Sequence, residues 1–176
     1  MSTFISGGCK NGKSFYAQRI ARAWGAPMYY IATMIPRDAE DDARILRHRQ
    51  EREGWGFETL ECGADILSCL DRADPSGSFL LDSVTALLSN EMFTETGMNP
   101  DAPAKIAGEL AAFVRRAPRT VLVSDYIYSD ANQYDEWTEA YRRGLAQIDR
   151  ALARACDDVL EIVHGRVIVH KGALPL

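Results

Sequence analysis

Lysine is scarce in this sequence of 176 residues: of its 20 basic residues only 4 are Lys, and 16 are Arg. A basic excess is also lacking, since 25 Asp and Glu leave a net charge of −5. That balance excludes a broad electrostatic grip on nucleic acid or an anionic membrane, so any anion must be bound locally. The four cysteines (Cys9, Cys62, Cys69 and Cys156) show no C-x-x-C spacing and have no His nearby. Neither a zinc site nor a disulfide framework is therefore expected, and reduced thiols in a cytoplasmic protein fit best. Long apolar runs are missing as well. The strongest short one is Phe79-Leu80-Leu81, far below the roughly 18 residues of a membrane helix. The opening MSTFISGGCKNGKS lacks the basic start and apolar stretch of a signal peptide. Internal repeats, low-complexity stretches and linkers are absent too.

What is present is a globular composition, 47% hydrophobic and 26% charged, at a length that suits one domain spanning residues 1–176. Short apolar runs alternate with helix-patterned stretches, the mark of an α/β fold with a mostly parallel sheet. Strands are expected at 3–6, 28–32, 57–62, 79–81 and 121–123, with a C-terminal antiparallel hairpin at 159–163 and 167–170. Helices are expected at 14–24, 38–53, 65–70, from 83 to about 93, at 104–116 and at 135–156, with 98–103 a turn-rich connection.

Residues 7–14 read GGCKNGKS and satisfy G-x-x-x-x-G-K-[ST]. Gly7, Gly8 and Gly12 let the backbone curl so that N–H groups of Gly8, Cys9, Lys10, Asn11 and Gly12 point at phosphate oxygens. The following helix N-terminus adds a positive field. Lys13 supplies a point charge for the β- and γ-phosphates, and the Ser14 hydroxyl is placed to ligate Mg²⁺. The required context, a strand before and a helix after, is present. A second Mg²⁺ ligand is expected from an Asp at a strand end. Asp82 after Phe79-Leu80-Leu81 is the first candidate and Asp125 the runner-up, with helix capping as the alternative role for either.

Within 38–53 the acids Asp38, Glu40, Asp41 and Asp42 come first and the bases later, the order that complements a helix dipole. Residues four apart stack, which aligns Glu40, Arg44, His48 and Arg52 on one face. His48 is the only histidine in the first 160 residues. Arginines beside it would hold phosphate oxygens next to an imidazole, and a neutral imidazole is a nucleophile. A solvated face of i,i+4 ion pairs is the other reading of the same spacing.

Taken together, GGCKNGKS, YIAT at 30–33, D-x-E-D-x-A-R-I-x-x-H-R at 38–49, TLEC at 59–62 and LLDSVTALLSN at 80–90 carry a resemblance. The sequence resembles the bifunctional adenosylcobinamide kinase/adenosylcobinamide-phosphate guanylyltransferase family of cobalamin biosynthesis, densely over the first 90 residues and more loosely after them. The resemblance implies a three-layer RecA-like P-loop fold and two reactions, with GTP and ATP as the nucleotide substrates and Mg²⁺ as cofactor. A nucleoside triphosphate phosphorylates the corrinoid, and GMP then passes from GTP through a guanylyl-histidine. It implies that His48 is the nucleophile, that Ala32, Thr33, Arg44, Arg49, Glu51, Arg52, Glu61 and Asp82 surround the nucleotide, and that the protein is a homotrimer.

The C-terminal half departs from the family pattern. Where an Asn-Glu-Val-Gly segment is usual, the chain reads Ser124-Asp125-Tyr126-Ile127. The usual Phe-Arg-Asp and Asn-Gln of the long helix stand as Tyr141-Arg142-Arg143 and Asp149-Arg150. Two further readings therefore stay open: a P-loop kinase for another small hydroxylated metabolite, and a GTP-binding regulatory module without turnover.

Overall fold

The computed structural model describes residues 1–36 and 38–176, the side chains of Arg44 and Glu51 excepted. In chain order it comprises β1 (Thr3–Gly7), α1 (Lys13–Trp24), β2 (Met28–Ala32), α2 (Ala39–Glu51), β3 (Phe57–Glu61), a 3₁₀ turn (Ile66–Asp71) and β4 (Ser78–Asp82). There follow α3 (Val84–Met92), the two-residue strands β5 (Phe93–Thr94) and β6 (Gly97–Met98), α4 (Ala102–Arg116), β7 (Thr120–Val123), α5 (Glu136–Ala155), β8 (Asp158–Val163) and β9 (Arg166–Lys171).

Seven strands form one sheet in the order β3-β2-β4-β7-β1-β8-β9, parallel except for the β8–β9 hairpin. The central strands are apolar on both faces because helices cover both. Alternate residues part accordingly. Phe4, Phe79, Leu81 and Leu122 join the core under α3, α4 and α5, whereas Ile5, Leu80, Val121 and Val123 pack against Ala17, Ile20 and Ala21 of α1. The result is the three-layer architecture expected from the sequence.

Local chemistry sets the element ends. Asp38 caps α2, its side chain accepting from the N–H groups of Glu40 and Asp41 at 2.9 Å each, and Asp135 caps α5 in the same manner. Helix α4 starts at Ala102, earlier than the expected 104, because Pro103 fits the first turn, where no N–H is needed. The β5–β6 ribbon was not foreseen, since strands this short carry no periodicity. The hairpin turn His164-Gly165 has φ of 49° and 72°, the positive values of a primed turn. His164 is thereby a turn residue, and His170 bonds Glu161 across the hairpin at 2.8 Å. Among the described residues no helix is long and apolar enough to cross a membrane.

The parallel strands all end at one edge of the sheet, and the sheet order brings their last residues together there: Gly7, Ala32, Glu61, Asp82 and Val123. Open α/β sheets bind ligands at that edge.

Candidate active site

The P-loop springs from this edge. Gly7 ends β1 where a Cβ would stand 2.5 Å from the carbonyl oxygen of Ile162, a close approach that only glycine permits. Gly12 precedes α1 at φ 88°, a left-handed conformation that suits glycine. Between them Cys9 and Lys10 are exposed, and Ser14 sits in the first turn of α1. Lys13 is 6% exposed and folds back on the loop. Its Nζ donates to Gly8 O and to Asp125 Oδ1, both at 2.7 Å.

That second bond shows which of the two strand-end acids touches the lysine. Strand β7 lies directly beside β1, whereas β4 is one strand further out, so the runner-up Asp125 is the acid at the P-loop lysine. Asp82 instead faces a cavity of about 470 Å³ between the strand ends and α2. There the Tyr30 hydroxyl donates to Asp82 Oδ2 at 3.1 Å. The guanidinium of Arg52 lies 3.4 Å from the centre of the same tyrosine ring, a cation–π contact that holds this nearly buried base at the wall.

His48, Arg49, Arg52, Glu61 and Asp82 all line this cavity, as does Ala32. His48 is half-buried on α2, and its Nδ1 is buried. Arg49 Nη2 donates to Glu61 Oε1 at 2.8 Å, tying α2 to the end of β3. Both partners are largely exposed, so the pair contributes little to stability. Thr33 is wholly buried behind the wall. Its hydroxyl donates to Ser83 O and accepts from Ser83 N, both at 2.8 Å. The side chains of Arg44 and Glu51, also expected at the nucleotide, lie outside the described residues.

Three contributors went unrecognised in the sequence. Tyr30 lay in the quoted YIAT segment, but nothing in its spacing signalled a link to Asp82 and Arg52. Asn90 braces two loops, its Nδ2 donating to Thr33 O at 2.7 Å and to Gly63 O at 2.9 Å. Cys62, at the cavity wall, lies beside Cys69. Hydrogen bonding within the thiol pair pulls Cys62 below the ordinary thiol range, helped by Ser68 and Arg72 and opposed by burial, and pushes Cys69 up.

Among the described residues no three His, Cys, Asp or Glu side chains converge as a metal cluster. The donors near the P-loop are hard oxygens, the Ser14 hydroxyl and the strand-end carboxylates. That suits Mg²⁺, which keeps several waters and needs only one or two carboxylates with substrate phosphates. Chemically, then, this edge offers a phosphate cradle with a buried lysine, and further along it a cavity lined by an imidazole, two guanidinium groups and three carboxylates, those of Asp42, Glu61 and Asp82.

A model of the family described as cobinamide kinase/cobinamide phosphate guanyltransferase matches residues 3–169. The bifunctional adenosylcobalamin biosynthesis protein CobP of Pseudomonas aeruginosa is 29% identical over 177 residues, covering 98% of each chain. Among solved structures, a protein of Pyrococcus horikoshii OT3 superposes with a TM-score of 0.56 at 10% identity, covering 97% of this chain and 86% of its own. A RadB recombinase superposes with a TM-score of 0.52 at 16% identity, covering 99% and 82%. These likenesses establish the RecA-like P-loop fold.

Proposed function

This chain belongs to the cobinamide kinase/cobinamide phosphate guanyltransferase family, and on that premise we propose that it phosphorylates adenosylcobinamide and then transfers GMP to the product through a guanylyl-histidine at His48. The observation that carries this reading is the convergence of His48, Arg49, Arg52, Glu61 and Asp82 on one cavity at the strand-end edge from which the P-loop also springs.

In the guanylyl step the imidazole of His48 attacks the α-phosphorus of GTP. With Nδ1 buried, Nε2 is the attacking nitrogen. A P–N bond forms, the bond to the bridging oxygen breaks, and pyrophosphate leaves with the electron pair. Arg49 and Arg52 offset the charge that grows on the leaving group. A phosphate oxygen of the phosphorylated corrinoid then attacks the same phosphorus and the P–N bond returns its electrons to the imidazole. Splitting one displacement into two in this way is the use of a covalent nucleophile. Glu61, and Asp82 held by Tyr30, accept hydrogen bonds from the guanine and ribose. In the kinase step Gly8 to Gly12 and Lys13 hold the triphosphate of ATP or GTP. Mg²⁺, held by Ser14 and Asp82, would supply charge neutralisation between the phosphates. The same reading has the protein act in the cytoplasm as a homotrimer.

Incubation with α-labelled GTP and Mg²⁺ tests it. The expected result is an acid-labile, alkali-stable protein label that is lost in His48→Ala. An unlabelled wild-type protein that still phosphorylates cobinamide would reduce the reading to a kinase, and a label that survives His48→Ala would remove the histidine from the reaction.

A further inference from the structure

We propose that Asp125 is the catalytic base of the phosphoryl-transfer step, taking the proton of the acceptor hydroxyl in a small polar cavity that adjoins the His48 cavity. The inference rests on the kinase reading above.

Asp125 is fixed beside the P-loop by its own backbone. Ser124 N donates to Ile5 O and Tyr126 N to Gly7 O, both at 2.9 Å, so the residues on either side of Asp125 are zipped onto β1. The N–H of Asp125 itself donates to Thr85 Oγ1 at 2.9 Å. Three such bonds fix the backbone from which the carboxylate projects, and Lys13 holds the carboxylate itself through Oδ1.

Its reach is set by Lys13. The ammonium that binds the terminal phosphates of a P-loop substrate is 2.7 Å from Asp125 Oδ1. A charge-assisted contact from the same ammonium to a phosphate oxygen is about 2.8 Å, so the two in series bring the carboxylate within about 5.5 Å of that oxygen. A hydroxyl hydrogen-bonded to a base at about 3 Å, and poised about 3–3.5 Å from phosphorus, needs a gap of about 6 Å. Both spans are upper limits, and the oxygen that ends the first is one P–O bond from the phosphorus that ends the second, so a hydroxyl fits between carboxylate and phosphorus. Oδ1 is taken by Lys13, while Oδ2 accepts no hydrogen bond from any described residue, and the side chain keeps 19% of its surface open.

Asp125 lines a cavity of about 230 Å³ with Asp41, Ser83, Thr85, Ser89, Asn90 and Tyr141, and of its two carboxylates Asp125 is the one bonded to Lys13. Its polar lining suits a hydroxylated acceptor. Met34, Ile35, Ser83 and Ala86 line both this cavity and the one that holds His48, so a newly phosphorylated acceptor need only shift along shared walls to meet the guanylyl group. The phenol that lines the same cavity is not a rival base. Tyr141 donates its hydroxyl to Thr85 O at 2.8 Å, and burial, then the charges of Asp125 and Asp149, push it well above the ordinary phenol range.

In the step itself the Asp125 carboxylate accepts the hydroxyl proton as the hydroxyl oxygen bonds to the γ-phosphorus. The bond to the β,γ-bridging oxygen breaks, and the nucleoside diphosphate leaves with its electron pair. Kinases place a carboxylate in this role.

The test compares Asp125→Asn with the wild type in two assays: phosphorylation of adenosylcobinamide by ATP, and formation of the α-labelled guanylyl adduct. The expected result is a fall of about 10²–10⁴-fold in kcat for phosphorylation, with adduct formation within a few-fold of wild type. Phosphorylation within tenfold of wild type would overturn the proposal. Equal loss of both reactions would also overturn it, because Asp125 would then serve only to position Lys13. A wild-type protein that forms the adduct but phosphorylates nothing would instead refute the kinase reading on which the proposal rests.

Discussion

Burial of the Asp149 carboxyl gives a quantitative handle on the half of the chain that departs from its family. Asp149 lies on α5 and is 3% exposed. The Tyr128 hydroxyl donates to its Oδ2 at 2.9 Å. Neither Asp149 Oδ1 nor the buried Ser124 Oγ has a hydrogen-bond partner in the described structure, although the Ser124 hydroxyl lies near enough to lower the carboxyl somewhat. Loss of solvent dominates and, with the charge of Asp125 adding to it, pushes the group from 3.8 up to about 6. A raised carboxyl binds more protons folded than unfolded, so its contribution to stability is full below about pH 4 and is lost as pH rises through 6. The loss totals roughly 3 kcal/mol by pH 8, of which about 1.5 falls between pH 5 and 8. Asp149→Asn removes the titration while its amide oxygen can still accept from Tyr128 and its amide N–H can reach Ser124. Urea unfolding at pH 5, 6, 7 and 8 should therefore show the variant gaining on the wild type by about 1.5 kcal/mol across that range. A stability difference that stays constant from pH 5 to 8 would refute the reasoning, since no buried proton would then be at stake.

Two further outcomes follow from the geometry of the site. Gly7→Ala places a Cβ 2.5 Å from the Ile162 carbonyl oxygen, and backbone cannot yield as a side chain can. The expected cost is about 1–3 kcal/mol, read as a lowered melting temperature without nucleotide, and an unchanged melting point would mean that β1 and β8 part freely. Arg49→Ala breaks an ion pair whose side chains are 57% and 73% exposed. Stability should change by less than about 1 kcal/mol, while guanylyl-adduct formation slows at least tenfold. Undiminished adduct formation would assign Arg49 to the surface alone.

Much of this protein is legible in one dimension. The α/β class follows from the alternation of buried strands with amphipathic helices, and the P-loop from the fixed spacing of Gly7, Gly12, Lys13 and Ser14 between a strand and a helix. The α2 helix follows from the order of charges along it, acids first and bases later. Each of these depends on neighbours within a few residues, where local sterics and hydrogen bonding decide the outcome. Whether Asp82 or Asp125 stands at Lys13 could not be read in that way. Both are acids at the ends of apolar strands, and only the order β4-β7-β1, set by how the helices pack across the sheet, puts Asp125 against the lysine. Tyr30, Asp82 and Arg52 meet for the same reason, because β2 and β4 pair in parallel with Ala32 opposite Asp82. The sequence by itself determined which chemical groups the protein carries and the local structure that presents them. The tertiary structure alone decided which of those groups share a cavity, because strand order is a property of long-range packing that no local pattern encodes.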